Sequence, residues 1–559
     1  MTVTSSPIFH ASPGARRRGR AVRAALTLPI ALAAAFLAGG ACGAGKRERP
    51  ALVVMITVDQ LRADLLDRYD SLFTGGFRRL HERGMSFQNG WVDHAVTVSH
   101  PGHATLATGL VPARHGIVDA AFYEPAQGGR RLVDALDDPQ EQILKVPGRA
   151  GVSPRRFLAT TLAEWILEAD PDARAAAIGT GQFSSLLHAG RARAEVYWYA
   201  AAAGAYVTST FYRRDYPGWV ERFNRDVLPR YIQDSAVWEN QTPPDGRRLA
   251  DPDDVPYEAD GVHVSFPHRF DREVPEPQRK APAALAGWFA VTPMVDAATL
   301  ALAREAVQVL ELGRRGSTDY LAVVLSQADD IGHWYGPLSQ EQLDNLLRLD
   351  RELGEFFKFL DGAVDNGRYV VALSSDHGAP NLPELEHDKG RPGRRVSEKE
   401  INDTLEEVAQ AVAAQPGAAE AARRVVEVLE RRNFVADAMT PDELLGIGES
   451  DDPFLTLHRK SYRADRVPRF PLFSFANGQS PIGETGVMVR LVEGAVIDLD
   501  PVVHGSAYEY DRRVPILFMG MGVEVGSSQA PARTVDVAPT LARLAGIKFP
   551  QGLDGKPLL

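Results

Sequence analysis

Carboxylates and imidazoles gather at two places in the second half of this chain. Asp329-Asp330-Ile331-Gly332-His333 is one, and Asp376-His377, 43 residues beyond His333, is the other. Asp59 adds a third acidic position near the start. Mixtures of Asp and His suit zinc or a similar divalent ion better than magnesium or calcium, which take oxygen ligands. A nucleophile candidate, Ser99, stands in Thr97-Val98-Ser99-His100-Pro101-Gly102-His103, where a Pro-Gly turn leads into the helix formers Ala104 to Thr108. A hydroxyl at a helix start faces N–H groups and the positive end of the dipole, which favours both an alkoxide and a bound phosphate. Serine is otherwise a poor nucleophile near neutral pH, and coordination to a metal is one remedy. Together these residue types point to metal-assisted hydrolysis.

Taken singly, each has a plainer reading. Asp caps helices and closes turns, and a serine at a helix start is ordinarily a cap. The conjunction is what argues for a metal site, because each acidic position follows a short apolar run. Leu52-Val53-Val54-Met55-Ile56 leads to Asp59, Tyr320 to Leu325 leads to Asp329, and Tyr369 to Leu373 leads to Asp376. Such runs read as parallel strands buried on both faces, and in open parallel sheets chemistry collects where strands end. His94, His100, His103 and His115 flank the nucleophile and are read as packing or hydrogen-bonding groups. Arg391, Arg394 and Arg395 are read as a solvated loop.

Strand and helix patterns alternate as a doubly wound fold requires, so the expected architecture is a three-layer α/β sandwich with a largely parallel central sheet. Ser339 with Gln342 starts a helix whose Leu343, Leu346, Leu347, Leu353, Phe357 and Leu360 share one face. The core is expected over 50–183, 291–380 and 481–559. Two inserted lobes interrupt it, a cap at 184–290 rich in Trp, Tyr, Pro and Arg, and a helical insertion at 381–480. Trp198, Tyr199 and Trp288 of the cap are expected to shape substrate access. The core is expected to resume at Gly486-Val487-Met488-Val489-Arg490, then a run Val514 to Phe518 and a closing helix Val537 to Leu544 stopped by Gly546.

With 559 residues, 44% apolar and 24% charged, the chain is globular with room for a sizeable core. A net charge of −11 gives no general attraction to nucleic acid, and no such partner is expected. Arg16, Arg17, Arg18, Arg20 and Arg23 precede an apolar stretch, Leu26 to Ala38, too short to span a bilayer comfortably. Residues 1–42 are therefore read as a signal peptide, and the protein as exported, either periplasmic or anchored as a lipoprotein. The sole cysteine, Cys42, closes Leu37-Ala38-Gly39-Gly40-Ala41-Cys42, which resembles a lipoprotein cleavage site with Gly39 in place of the usual Leu. Ordinary cleavage near Ala41 or Ala44 is the competing reading. One cysteine allows neither an internal disulfide nor a thiolate zinc cluster.

Asp59 in Thr57-Val58-Asp59-Gln60-Leu61-Arg62, Ser99 before Pro101-Gly102-His103, Asp329 with His333, Asp376-His377, and His504 in Val503-His504-Gly505-Ser506 resemble the alkaline phosphatase superfamily. The likeness is nearest to bacterial alkaline phosphatases allied to type I phosphodiesterase/nucleotide pyrophosphatases, and runs from about residue 50 to the C-terminus. It includes Phe77 to Leu80, Tyr508 to Asp511 and Asp536 to Leu541. The resemblance implies two divalent ions, zinc being expected. Asp329, His333 and His504 would hold one, and Asp59, Asp376, His377 and the Ser99 oxygen the other. Ser99 would form a phosphoseryl intermediate that a metal-activated water then releases. Asp330 would support the site or face solvent, because the family spacing puts the ligand four residues before His333.

Three positions depart from the family's monoesterases. Ala120 replaces an Asn, and an ungapped count back from Ala189-Gly190 puts Gly181 and Phe183 where a Lys and an Arg stand. Donors to the non-bridging phosphate oxygens are therefore missing, and a monoester dianion needs them more than a diester does. The expected substrate is a small-molecule phosphate ester, with mono- and diester both open. Two other readings stand beside it, an envelope metal-binding relative impaired in catalysis, and a sulfatase-like hydrolase, against which His103 occupies the place of the required Arg. Oligomeric state cannot be read from the sequence.

Overall fold

The computed structural model describes residues 49–127, 129–413, 417–446, 450–469, 482, 485–497 and 500–559, apart from the Gln182 and Phe183 side chains. The signal peptide and Cys42 lie outside the described residues, as does the core boundary at 481.

Nine strands make the central sheet. They are β1 (Leu52–Val58), β2 (Gly84–Trp91), β3 (Ala175–Gly179), β4 (Glu195–Ala200), β5 (Ala205–Val207), β6 (Asp319–Leu325), β7 (Tyr369–Ser374), β8 (Ile516–Gly520) and β9 (Gly526–Arg533). In space the order is β9-β2-β8-β7-β1-β6-β3-β4-β5. From β7 to β4 all neighbours are parallel, as are β2 and β9. β8 runs antiparallel to β7 and β2, and β5 antiparallel to β4.

The side-chain period of two explains why these runs are apolar throughout. In β1, Leu52, Val54, Ile56 and Val58 enter one core with Phe77, Ala303, Leu343 and Phe357. Val53 and Met55 enter the other with Leu106, Ile166, Leu186 and Leu541. Helices Gly76–Arg83, Met294–Val309 and Gln340–Ala363 thus cover one face. Helices Ser99–Thr108, Leu162–Ala169, Gln182–Ala189 and Val537–Leu544 cover the other. This is the three-layer α/β sandwich expected. The Ser339 hydroxyl accepts from Gln342 N at 3.0 Å, capping the long helix where the sequence marked its start.

Two lobe boundaries differ from the sequence reading. The segment 184–290 opens as core, because β4 and β5 extend the sheet. Trp198 and Tyr199, expected at substrate access, are 2% and 5% exposed. They face opposite cores from β4, a strand one in from the sheet edge whose aromatics pack on both sides. The Trp288 indole donates to Ser235 O at 2.7 Å. At the other end, the core does not resume at Gly486. Met488–Leu491 pairs with Val435–Met439, and Ala495–Ile497 with Arg394–Val396, so the second lobe continues to about 497. Helices Glu398–Ala413 and Ala418–Leu429 close over these pairs with a core of their own.

Candidate active site

Register brings the site together. Val58 of β1 lies beside Leu325 of β6, and Thr57 beside Ser374 of β7. The residues that follow, Asp59, Asp329 and Asp376-His377, therefore leave the sheet at one edge, the carboxyl edge where such sheets place ligands. After β6 the chain turns directly into helix Gln327–Tyr335, and a spacing of four stacks Asp329 and His333 on one face. The Pro-Gly pair expected as a turn is instead inside helix Ser99–Thr108, with Ser99 at its first position. The Gly102 N–H makes the first intrahelical bond, to Val98 O at 3.1 Å.

Three imidazoles are locked in one tautomer. Nδ1 of His333 donates to Val502 O (2.7 Å), that of His377 to Gly378 O (3.0 Å) and that of His504 to Thr97 O (2.8 Å). A carbonyl only accepts, so in its neutral form each ring turns a lone pair on Nε2 inward. Nε2 of His504 lies 3.2 Å from that of His333, and both lie near Asp329 Oδ1, at 3.3 and 3.4 Å. Nε2 of His377 lies 3.5 Å from Asp59 Oδ1 and 3.4 Å from Asp376 Oδ2, and accepts the Ser99 hydroxyl at 3.2 Å. Asp59 Oδ1 and Asp376 Oδ2 are buried with no hydrogen-bond partner. Facing lone pairs, and buried carboxylate oxygens beside them, are what a divalent cation satisfies. Asp329, His333 and His504 form one ligand group, and Asp59 with Asp329 and His377 another. Asp376 joins Asp59 and His103 in a third such group, and Ser99 reaches the site through His377.

The electrostatics agree. Burial and the neighbouring Asp376 raise Asp59, and burial raises Asp376 to about 7, because two adjacent buried carboxylates resist double ionisation. Burial would also raise Asp329, but His333 and His504 hold it well below the carboxylate range. Burial lowers His333, yet Asp329 outweighs it and raises His333 to about 9. Burial keeps His377 neutral, well below the usual range. Exposure is graded: Asp59, Asp376 and His377 are 0% exposed, whereas the His333 and Asp329 side chains are 23% and 15% exposed. Solvent and substrate therefore approach from the Asp329 and His333 side.

Three supporting residues escaped the sequence reading in whole or part. Gln60 sits at φ +59° and donates from Nε2 to Asp329 Oδ1 (2.7 Å) and from its N–H to Asp376 Oδ1 (3.3 Å), bridging the two ligand groups. His103, read only as packing or bonding, has Nε2 3.4 Å from Asp59 Oδ2 and 3.3 Å from Asp376 Oδ2. Asp511 Oδ2 accepts from Gly505 N, Ser506 N and Ser506 Oγ at 3.1, 2.6 and 2.6 Å, fixing the loop of His504. Asp330 is half-buried and accepts from Gln327 Nε2 at 3.2 Å, a supporting position. His94 and His115 are buried, and His115 Nε2 meets Thr105 Oγ1 at 3.1 Å. Arg391, Arg394 and Arg395 pair with Glu386, Glu400 and Glu384. Gly181 caps helix Gln182–Ala189 just past β3, Ala120 precedes strand Ala121–Ala126, and the Phe183 side chain lies outside the described residues.

The family model for type I phosphodiesterase / nucleotide pyrophosphatase matches residues 53–471. A Myroides odoratus protein named a calcium-transporting ATPase is 30% identical over 535 residues, 92% of this chain and 95% of its own. Alkaline phosphatase PafA of Elizabethkingia meningoseptica is 29% identical over 541 residues, 94% and 97% of the two chains. The crystal structure of a substituted form of PafA superposes with a TM-score of 0.79 at 28% identity, covering 91% of this chain and 98% of that one. No helix among the described residues is long and apolar enough to cross a membrane. With the match spanning most of the chain and the ligand groups assembled at one sheet edge, this protein belongs to the type I phosphodiesterase / nucleotide pyrophosphatase family.

Proposed function

We propose that this divalent-metal-dependent phosphate ester hydrolase acts through a phosphoseryl intermediate on Ser99. The observation that carries the reading is the placement of the Ser99 hydroxyl 3.2 Å from His377 Nε2, beside the group formed by Asp59, Asp329 and His377. Asp329, His333 and His504 would hold one ion, and Asp59, Asp376, His377 and the Ser99 oxygen the other, zinc being the ion such Asp/His sets favour. Two ions so held would neutralise charge on the attacking and leaving oxygens of an in-line displacement. Ser99 Oγ forms the bond to phosphorus as the ester oxygen departs, and water then cleaves the seryl phosphate. The positive end of helix Ser99–Thr108, which Ser99 opens, would favour the phosphoryl oxygens. Relatives named alkaline phosphatases support a small-molecule phosphate ester as substrate.

Chelation is expected to abolish turnover of aryl phosphate esters and zinc to restore it. Acid quenching with labelled substrate should mark the Ser99 peptide; a label on Thr97, or none with turnover intact, would displace Ser99 from this role. The type of ester follows from the absent donors. Ala120, Gly181 and Phe183 present no side-chain charge to a monoester dianion, so diesters should turn over at least as well as monoesters. The substituted PafA form with a TM-score of 0.79 has an Asn, a Lys and an Arg each replaced by Ala, the same three residue types missing here. At Gly181 φ is −103°, a conformation that accepts an L side chain. Installing Gly181→Lys with Phe183→Arg, then Ala120→Asn, should shift the ratio of kcat/KM toward monoesters by at least about tenfold. A wild-type enzyme that already prefers monoesters strongly would show that other groups supply the charge. Export, with acylation of Cys42, is proposed from the leader sequence; the mature protein should then partition with membranes, and Cys42→Ala should alter its processing.

A further inference from the structure

His103 lies one helical turn past Ser99, and residues four apart share a helix face, so the nucleophile and this imidazole look out on the same sheet edge. Its Nε2 bonds Asp59 Oδ2 at 3.4 Å and stands 3.3 Å from Asp376 Oδ2. The three groups lie close enough together to surround one ion, and all three side chains are 0% exposed. Two chemistries are open to such a cluster. Nε2 can offer a lone pair to a cation, or a proton to the carboxylates.

The way Asp59 divides its oxygens decides between them. Oδ1 faces His377 Nε2 at 3.5 Å, on the side where Ser99 also meets His377, and Oδ2 faces His103. A carboxylate that gives one oxygen to a metal commonly rests the other on a hydrogen-bond donor. With Asp59 and Asp376 ionised to meet a cation, their oxygens repel, and a proton on His103 Nε2 relieves both. A neutral imidazole does this without adding a full charge that would compete with the ion, as Lys or Arg would. The ring is itself held. His188 packs edge-to-face against it, with centroids 5.5 Å apart and planes at 71°. His188 Nε2 meets Thr57 Oγ1 at 3.2 Å, and Thr57 lies on β1 two residues before Asp59. The contacts therefore close a ring from β1 through His188 and His103 back to the end of β1.

We infer that His103 is the positioning residue that ties the nucleophile helix to the metal-binding carboxylates. Its Nε2–H donates to Asp59 Oδ2 and faces Asp376 Oδ2, so that Ser99, one turn away, keeps a fixed relation to both. This assignment rests on the two-ion reading above and adds to it the group that sets Ser99 against the second ion's carboxylates.

The test uses full-length protein, stripped with chelator and titrated with zinc against a chromophoric competitor. Wild type should bind two equivalents. His103→Ala should weaken one of them about 10- to 100-fold, the usual scale for groups that orient a metal's ligands, and spare the other. His103→Gln places an amide N–H where Nε2 stood and should stay within about threefold of wild type. With zinc saturating, kcat of His103→Ala for an aryl phosphate ester should fall at least about tenfold with KM little changed, because substrate still binds while Ser99 is misplaced. If His103→Ala does not fold, His103→Asn replaces it, since that amide is too short to reach Asp59. X-ray absorption of two-zinc wild type should count three imidazoles per pair of ions, from His333, His377 and His504; a fourth would make His103 a ligand and overturn the assignment. Equal losses in His103→Ala and His103→Gln, or none in either, would overturn it too, and with two zinc ions still bound by wild type would leave the two-ion reading standing. Wild type that binds fewer than two zinc ions would refute both.

Discussion

His504 owes its position to a residue seven places further on that binds nothing itself. Asp511 gathers three donors from Gly505 and Ser506 on one oxygen, and His504 in turn anchors Nδ1 on Thr97 O, two residues before the nucleophile. Burial raises Asp511 to about 6, so near neutral pH its charge is sustained by those donors. Asp511→Asn keeps the shape but removes the charge and one acceptor oxygen. Affinity at the Asp329, His333, His504 group is expected to fall about 10- to 100-fold, as for other groups that orient a metal's ligands. Competition with a chelator measures this, and unchanged zinc affinity would show that the loop holds His504 unaided. The candidate ligands were legible in the sequence because each Asp follows a buried strand and the histidines stand at family spacings. Gln60 and Asp511 were not, because they act through hydrogen bonds to partners far apart in sequence or to backbone N–H groups, and neither leaves a periodic or compositional trace.

Elements were legible where periodicity is strong and less so where one glycine decides how closely two elements approach. Helix Gln340–Ala363 begins where Ser339 and Gln342 mark it, whereas Pro101-Gly102 looked like a turn and proved to be helix. Gly102 is there for contact: a Cβ would stand 2.5 Å from Asp376 O and 2.7 Å from Asp376 Cβ. Neither atom can give way without moving the strand end that carries two ligands. Gly102→Ala should therefore lose about 1–3 kcal/mol to overpacking, more than the roughly 1 kcal/mol gained in helix propensity, and should lose zinc. Gly332 makes an instructive contrast. Its Cβ would meet Gln60 Oε1 at 1.8 Å, the far end of a side chain that can swing aside. Gly332→Ala should leave stability within about 1 kcal/mol of wild type but break the Gln60 bond to Asp329, lowering zinc affinity. Urea unfolding and zinc content on the two variants separate the cases; equal loss of stability in both would show that Gln60 is fixed as firmly as backbone.

At the scale of the whole molecule, the sandwich was legible and its borders were not. The aromatic strand β4 looked like cap because Trp and Tyr suggest a binding surface, yet a sheet strand clothed on both faces uses the same residues for packing. The second lobe outran its expected end because Met488–Leu491 has the apolar run of a core strand but finds its partner locally. Both lobe and core bury neutral histidines: burial lowers His94 and His188 to about 3, and His458, in the lobe, to about 4. In the unfolded chain these titrate near 6.5, so below that pH the unfolded state binds more protons. Their contribution to stability is complete above about 6.5 and is lost as pH falls toward 3–4. His458 Nδ1 donates to Phe454 O at 2.7 Å, a bond that glutamine can replace without a titrating group. His458→Gln should therefore reduce the slope of unfolding free energy against pH near pH 5 by about 1.4 kcal/mol per unit, the equivalent of one proton. Urea unfolding of the zinc-loaded protein at pH 5 and pH 6 gives the slope for each form. Identical slopes would mean that His458 takes up its proton without unfolding, and that the lobe opens to water in acid before the sheet does.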